Sequence, residues 1–281
     1  MSENKLQQIY FSLKNKSTCD IIVSEIKTLK GKTKMKRACI VFIIIVAIVA
    51  ILTTTVCILN EKWEEKQEAE EWAALVKQYR DDKISMYEKE NSTLEPFCMD
   101  VAFIGDSLTD MYDVAKYYPD LNVTNRGIGG DTTFDLEGRL QVSLYDVQPK
   151  VVVMLIGANN FSTMFENYED ILEGFKENLP NSKVILLSLT SMGGDVWGPH
   201  NHLAAFNNVK IKALAEKYGF EYVDLFTPLM DMDTQEIYPE YTIDGGHFTD
   251  KGYEVVTAEV RPTIDRVLAE WWAENGTEKA E

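Results

Sequence analysis

Val101-Ala102-Phe103-Ile104-Gly105-Asp106-Ser107-Leu108-Thr109-Asp110 is the stretch on which the fold turns. Its first four residues are apolar, the mark of a short buried strand. The run stops at Gly105-Asp106-Ser107. Glycine permits a sharp turn off the strand, and the turn leaves a serine hydroxyl at the strand's C-terminal edge, where open α/β sheets bind their ligands. Gly, Asp and Ser are also ordinary turn residues. The stretch alone does not separate a nucleophile from a bend, so the surrounding chain has to decide.

Downstream, strand-like and helix-like segments alternate from Phe97 onward. Apolar runs at 99–104, 150–156 and 183–189 and shorter stretches at 121–125 and 221–225 predict strands. Amphipathic patterns at 132–145, 167–179, 203–218 and 250–272 predict helices between and after them. Strands separated by helices imply parallel βαβ units. Residues 97–281 therefore read as one three-layer α/β/α domain around a five-stranded parallel sheet.

Upstream, the composition changes. The chain of 281 residues carries a net charge of −17, yet residues 1–37 hold nine Lys/Arg against three Asp/Glu, which leaves −23 for the remainder. Nucleic-acid binding needs clustered basic residues, so that remainder is no nucleic-acid partner. Residues 38–59 contain no charge, and fourteen of the 22 are Ile, Val, Leu or Phe. At about 1.5 Å per residue they span roughly 33 Å, enough for a bilayer core, with insertion favourable by about 4–8 kcal/mol. Basic residues precede this segment, and Glu61, Glu64 and Glu65 follow it. The positive-inside rule then places 1–37 in the cytoplasm and the rest beyond a single-pass cell-membrane anchor. An apolar stretch this long, with no Ala-x-Ala-like site after it, reads as an uncleaved signal anchor. Residues 60–96 form a helical stalk and linker. Its narrow apolar strip of Trp72, Leu75, Val76 and Tyr79 is expected to pack on the domain or on a second stalk. Of four cysteines only Cys98 enters the exported domain, so no disulfide staples it.

Four blocks in that domain carry chemistry: Gly105–Leu108, Asn125–Thr132, Gly157–Asn160 and Asp244–His247. A serine hydroxyl is a weak nucleophile until a neighbouring base takes its proton. His247 suits that work near neutral pH, and Asp244 can reach back across a glycine turn to orient the imidazole. A tetrahedral oxyanion needs donors already in place; the Ser107 and Gly130 amides and the Asn159 side chain can supply them. Taken singly each block has a plainer explanation. Gly127–Gly130 could be a turn or a phosphate cradle, and Asp244–His247 could be a capped helix start. Thr132 breaks the spacing of a dinucleotide fingerprint. All four in this order at strand ends are harder to explain away.

Together the blocks resemble those of the SGNH hydrolases, the GDSL-type lipases and acylhydrolases. The second block most resembles the branch that includes the catalytic subunits of platelet-activating-factor acetylhydrolase. The resemblance runs from about Val101 to Val267. It implies a flavodoxin-like SGNH fold, Ser107 as nucleophile, Asp244 and His247 completing the triad, and Ser107, Gly130 and Asn159 as the oxyanion hole. No cofactor or metal is implied. Asn160 departs from the family, many of whose members have Asp there.

The loop 191–202, with Trp197, Pro199, His200 and His202, is the candidate for substrate selection, and Asn160, Trp197 and His200 are its candidate pocket residues. His200 and His202 without a nearby Cys or carboxylate cluster make a poor metal site. The expectation is a membrane-anchored serine esterase cleaving short acyl esters, such as O-acetyl groups on polysaccharide. A lysophospholipase or thioesterase of the same fold, acting on lipid, stays open at this point. So does an inactive tethered binding module. The residues do not state an oligomeric state.

Overall fold

The computed structural model describes Val23, Ser24 and residues 37–276. The basic segment expected at 1–37 thus lies almost wholly outside the described residues, as does Cys19. The chain divides into two compact units, Met1–Leu75 and Val76–Glu281.

In the first unit the described chain is helical. Helix α1, Arg37–Asn91, begins there and ends in the second unit. It is long and apolar enough to cross a membrane by length and composition. Phe42, Ile45, Val49, Leu52, Val56 and Leu59 are all exposed along it. Thr53, Thr54 and Thr55 look out of place in so apolar a run. Each turns its hydroxyl back onto a carbonyl of the preceding turn: Thr53 onto Val49 and Ala50, Thr54 onto Ala50, Thr55 onto Ile51. The hydroxyls are therefore satisfied without water.

The second unit is built on five parallel strands in the order β2-β1-β3-β4-β5. They are β1 Val101–Gly105, β2 Val123–Gly127, β3 Val151–Leu155, β4 Lys183–Leu187 and β5 Glu221–Val223. The register sets Gly105 beside Gly127 on one side and Leu155 on the other, so the first three strands end level. The five-stranded parallel sheet expected from the sequence is present. Burial on both faces explains why β1, β3 and most of β4 read as unbroken apolar runs.

Period-two alternation sorts the strand side chains into two cores. Val101, Phe103, Val151, Val153 and Ile185 pack with Tyr253, Val256, Val260 and Ile264 of the last helix, α9 (Asp250–Asn275), on one face. Ala102, Ile104, Val152, Met154 and Leu186 pack on the other with Leu136, Ile171, Phe175 and Ile211. Those partners come from α4 (Thr133–Glu137), α5 (Tyr168–Asn178) and α7 (Asn201–Tyr218). Short helices α2 (Ser107–Asp110), α3 (Val114–Tyr117), α6 (Gly194–Trp197) and α8 (Phe226–Leu229) complete the unit. Three layers result, as expected.

The helix expected over 132–145 is interrupted. Thr132 and Asp135 form a reciprocal capping box at the start of α4, which ends at Glu137, and a π-helical turn covers Gln141–Tyr145. Arg139 lies at the break. It is almost wholly buried, and its guanidinium reaches the carbonyls of Gly105 and Arg126 at the sheet edge.

Trp72, Leu75, Val76 and Tyr79 are all exposed. Within the second unit the helix end is held by its polar and aromatic neighbours instead. Arg80 pairs with Asp131, Lys83 with Asp110, and the buried Tyr87 hydroxyl donates to the Gly127 carbonyl.

Candidate active site

The sheet order changes direction between β1 and β3, and ligands of such sheets bind in the crevice beyond the strand ends at that switch point. Ser107 follows β1 directly and is the first residue of α2, where a backbone N–H has no intrahelical partner. Asp106 caps the helix, its Oδ1 accepting the Leu108 amide at 3.1 Å. The site residues expected from the sequence come together here across the whole length of the domain.

Ser107 Oγ lies 3.0 Å from His247 Nε2. On the far side of the ring, His247 Nδ1 lies 2.7 Å from Asp244 Oδ2. Asp244 Oδ1 accepts the amides of Gly246 at 2.9 Å and His247 at 2.8 Å. The intervening Gly245 has a φ of +93°, and a Cβ there would lie 2.0 Å from the Gly193 carbonyl oxygen, so only glycine fits. Burial pushes the Asp244 carboxyl up, but the His247 amide, the imidazole and the Gly246 amide outweigh it and hold the group at about 2. Asp244 is therefore anionic at neutral pH, and its pairing presents Nε2 of the ring to the serine as a proton acceptor.

The candidate oxyanion donors converge from two further strand ends. Gly130 takes a φ of +83° in the turn after β2. Asn159 follows β3, and its Nδ2 donates one hydrogen to the Asp131 carbonyl at 2.9 Å, which leaves its second hydrogen for a ligand. Ser107, Gly130 and Asn159 thus share one edge.

Asn160 is turned to the fold as well as to the cleft. Its Nδ2 donates to Thr133 Oγ1 at 2.9 Å, and its Oδ1 accepts the Thr133 amide at 3.3 Å. An open cavity of about 500 Å³ is bordered by Asn159, Asn160, Phe161, Trp197 and His200, among others. Trp197 meets His247 edge to face at 5.6 Å, and His200 stacks on Phe161 at 5.5 Å. His202 is exposed on α7.

Three acidic residues at the site carried no role in the sequence reading. Asp131 is 1% exposed and sits between Arg80 and Arg139. Asp110 Oδ2 accepts the Gly129 amide at 2.9 Å. Asp106 is fully enclosed with Oδ2 unpartnered, and burial pushes its carboxyl up to about 7 against the pull of the Leu108 amide. Each lies within a motif that the sequence does display. What the sequence lacked was any sign of the partners, which lie up to 51 residues away.

Comparison with known proteins gives the family and the fold. The family model described as GDSL-like Lipase/Acylhydrolase matches residues 103–255. Platelet-activating factor acetylhydrolase IB subunit alpha2 of Rattus norvegicus is 28% identical over 186 residues, covering 61% of this chain and 78% of the relative. The Homo sapiens protein of that name is 34% identical over 103 residues, 34% of this chain and 45% of the relative. Among solved structures, a GDSL-like lipase from Bacteroides thetaiotaomicron superposes with a TM-score of 0.59 at 24% identity, over 65% of this chain and 97% of that one. An acetyl xylan esterase from Geobacillus stearothermophilus superposes with a TM-score of 0.50 at 20% identity, over 60% and 95%. These structural likenesses speak to the fold.

Proposed function

Since the chain belongs to the GDSL-like lipase/acylhydrolase family and is an ester-cleaving hydrolase, we propose that it works through a Ser107–His247–Asp244 triad on short acyl esters, tethered to a membrane by α1. The observation that carries the mechanism is the unbroken line from Ser107 Oγ through the imidazole to Asp244, at 3.0 and 2.7 Å.

His247 Nε2 takes the hydroxyl proton as Ser107 Oγ attacks the ester carbonyl. The carbonyl oxygen becomes an oxyanion facing the Ser107 and Gly130 amides and the second Asn159 N–H. Collapse of the intermediate breaks the C–O bond, and the imidazolium returns its proton to the departing alcohol. Water then enters and loses a proton to the same nitrogen as it attacks the acyl-serine; the C–Oγ bond breaks, the acid leaves, and the imidazolium returns its proton to Ser107 Oγ. Asp244 stays ionised throughout and stabilises the transient imidazolium.

The cleft beside Asn159 supports a hydroxyl-bearing alcohol as the part of the ester that leaves. Amide groups of Asn159 and Asn160 and hydroxyls of Ser162 and Thr163 share the cleft with Phe161, Trp197 and His200. Polar groups interleaved with aromatic faces orient a hydroxylated ligand rather than sheathe a long alkyl chain. An O-acetylated saccharide fits that description. Acetylated xylan is the substrate named for one structural relative. The membrane tether is supported by the exposed apolar run of α1, a surface that water does not tolerate at this length.

The test is a panel of acetyl, butyryl and octanoyl esters, with acetylated xylo-oligosaccharide, given to the full chain and to Ser107→Ala. The proposal expects turnover to fall with acyl length and Ser107→Ala to lose about 10⁴-fold or more. Preference for octanoyl esters or lysophospholipid would overturn the substrate class. A tenth of wild-type activity in Ser107→Ala would overturn the mechanism.

A further inference from the structure

The end of α1 does more than lead into the domain. Within the compact unit, Tyr79, Arg80, Lys83 and Tyr87 lie close along one side of the helix at i, i+1, i+4 and i+8. All four reach the loop that carries Gly130 or the carboxylates that hold it. Tyr87, fully buried, donates to the Gly127 carbonyl at 2.7 Å. Lys83 Nζ lies 2.6 Å from Asp110 Oδ1, and the Tyr79 hydroxyl donates to Asp110 Oδ2. That same Oδ2 accepts the Gly129 amide, so Asp110 links the end of the Ser107 helix to the glycine turn.

Arg80 makes the most consequential contact. Its Nε and NH2 donate to Asp131 Oδ1 at 3.1 and 2.6 Å, and NH2 also lies 2.7 Å from Asp135 Oδ1. The other carboxylate oxygen of Asp131 accepts Arg139 Nε at 2.7 Å. Arg139 cannot stand in for Arg80, because its remaining nitrogens serve the carbonyls of Arg126 and Gly105 and the Ser143 hydroxyl. Asp131 follows Gly130 directly in the chain, and its carbonyl accepts the Asn159 side chain. Two of the three candidate oxyanion donors are therefore referenced to one residue, whose carboxylate is held from the helix on one side and from the sheet edge on the other.

We infer that residues 79–87 of α1 are a working part of the active site, with Arg80 a positioning residue that sets the Gly130 and Asn159 donors through Asp131. This rests on the oxyanion-hole assignment made above. A charge-assisted contact on a buried carboxylate is directional, and removing one partner leaves Oδ1 enclosed without compensation. The loop then relaxes to find another donor. Displacement of a donor by a fraction of an ångström acts on the developing oxyanion and little on the ground-state ester.

The experiment uses the full chain in detergent, with kcat expressed per reactive serine by fluorophosphonate titration. Arg80→Ala is expected to lower kcat about 10–30-fold, a part of the loss seen when an oxyanion donor is removed outright, with KM within about twofold. Arg80→Lys should recover part of that loss, since it restores charge without the two-nitrogen grip. Combining Arg80→Ala with Asn159→Ala should cost less than the product of the two single losses, because the part of the Arg80 effect that runs through Asn159 is already lost. A merely structural Arg80 would lower the melting temperature, leave kcat per reactive serine unchanged and multiply cleanly with Asn159→Ala. Tyr79→Phe, which keeps the ring and loses one hydroxyl, supplies the same readout if Arg80→Ala does not fold, with kcat down about 3–10-fold. Should Asn159→Ala itself leave kcat intact, the oxyanion assignment falls. Should Asn159→Ala lower kcat while Arg80→Ala and Tyr79→Phe stay within twofold of wild type, this inference alone falls.

Discussion

Asn160→Asp replaces one side-chain nitrogen by oxygen, and the structure dictates the consequence. Glu137 can only accept, so Asn167 Nδ2 donates to it at 2.7 Å and turns Asn167 Oδ1 toward Thr133. The Thr133 hydroxyl then donates to Asn167 Oδ1 at 2.7 Å and must accept from Asn160 Nδ2. The chain of bonds has one direction only. A carboxylate at 160 meets a hydroxyl whose proton is already committed. Either two lone pairs face each other, or the hydroxyl turns and orphans the buried Asn167 oxygen. An unpaired buried polar group costs about 1–3 kcal/mol. A negative charge at the start of α4 returns about 0.3–1 kcal/mol through the helix dipole. The net loss is about 1–2 kcal/mol, which at roughly 2–4 °C per kcal/mol lowers the melting temperature of a domain this size by about 2–8 °C. The sign with pH follows. The carboxylate is disfavoured in the fold, so the deficit is full above its raised folded pKa and closes as pH falls, because a neutral carboxyl can donate as the amide did. Thermal melts of both proteins at pH 7.5 and pH 4 test this. Equal stability at pH 7.5, or a deficit that acid leaves unchanged, would refute the directional chain.

Two further outcomes are expected. Asp244→Asn should keep its fold, since the amide oxygen can still accept from Gly246 and His247. Its nitrogen then faces Nδ1 and forces the wrong tautomer, so steady-state assays should show kcat down about 10⁴-fold, or about 5 kcal/mol of transition-state stabilisation. Asp106→Asn bears on the carboxyl raised to about 7. Because a raised acid destabilises the fold as pH climbs from its unfolded value near 4 to its folded value, Asp106→Asn should gain stability over wild type across that interval, by at most about 1.4 kcal/mol per pH unit, and hold the gain above it. Denaturant melts at pH 5 and pH 8 read the difference; a gain no larger at pH 8 than at pH 5 would contradict it.

Much of this molecule is legible in the sequence because its sheet is buried on both faces. Val151, Val152 and Val153 are all inside, on opposite faces, and a parallel strand of this kind cannot help but read as an apolar run. Ser107, Asn159 and His247 are visible because each follows a strand or a glycine turn that displays polar residues at one edge. What the sequence concealed is held by long-range polar pairs. Hydrophobic periodicity points to Trp72, Leu75, Val76 and Tyr79 as the packing face of α1, yet those residues are exposed and the contacts are polar, made by Arg80, Lys83 and the Tyr79 hydroxyl. Periodicity detects apolar surface and is blind to a buried carboxylate waiting fifty residues downstream. The break at 138–140 is invisible to periodicity for the same reason, since Arg139 reads as one solvated charge until Asp131, Gly105 and Arg126 are placed around it. Short helices such as Ser107–Asp110 are too brief for any periodic signal.

The central claim, that Ser107 is the nucleophile of a working esterase, is tested most directly by covalent capture. The full chain is treated with a serine-directed fluorophosphonate, assayed on an activated acetyl ester as the reaction proceeds, and digested to map the adduct. The geometry predicts one adduct per chain, on Ser107, with activity falling in step with its formation, and labelling abolished in Ser107→Ala. Full activity in a fully labelled protein, or an adduct on any other serine that accompanies the loss, would contradict the assignment.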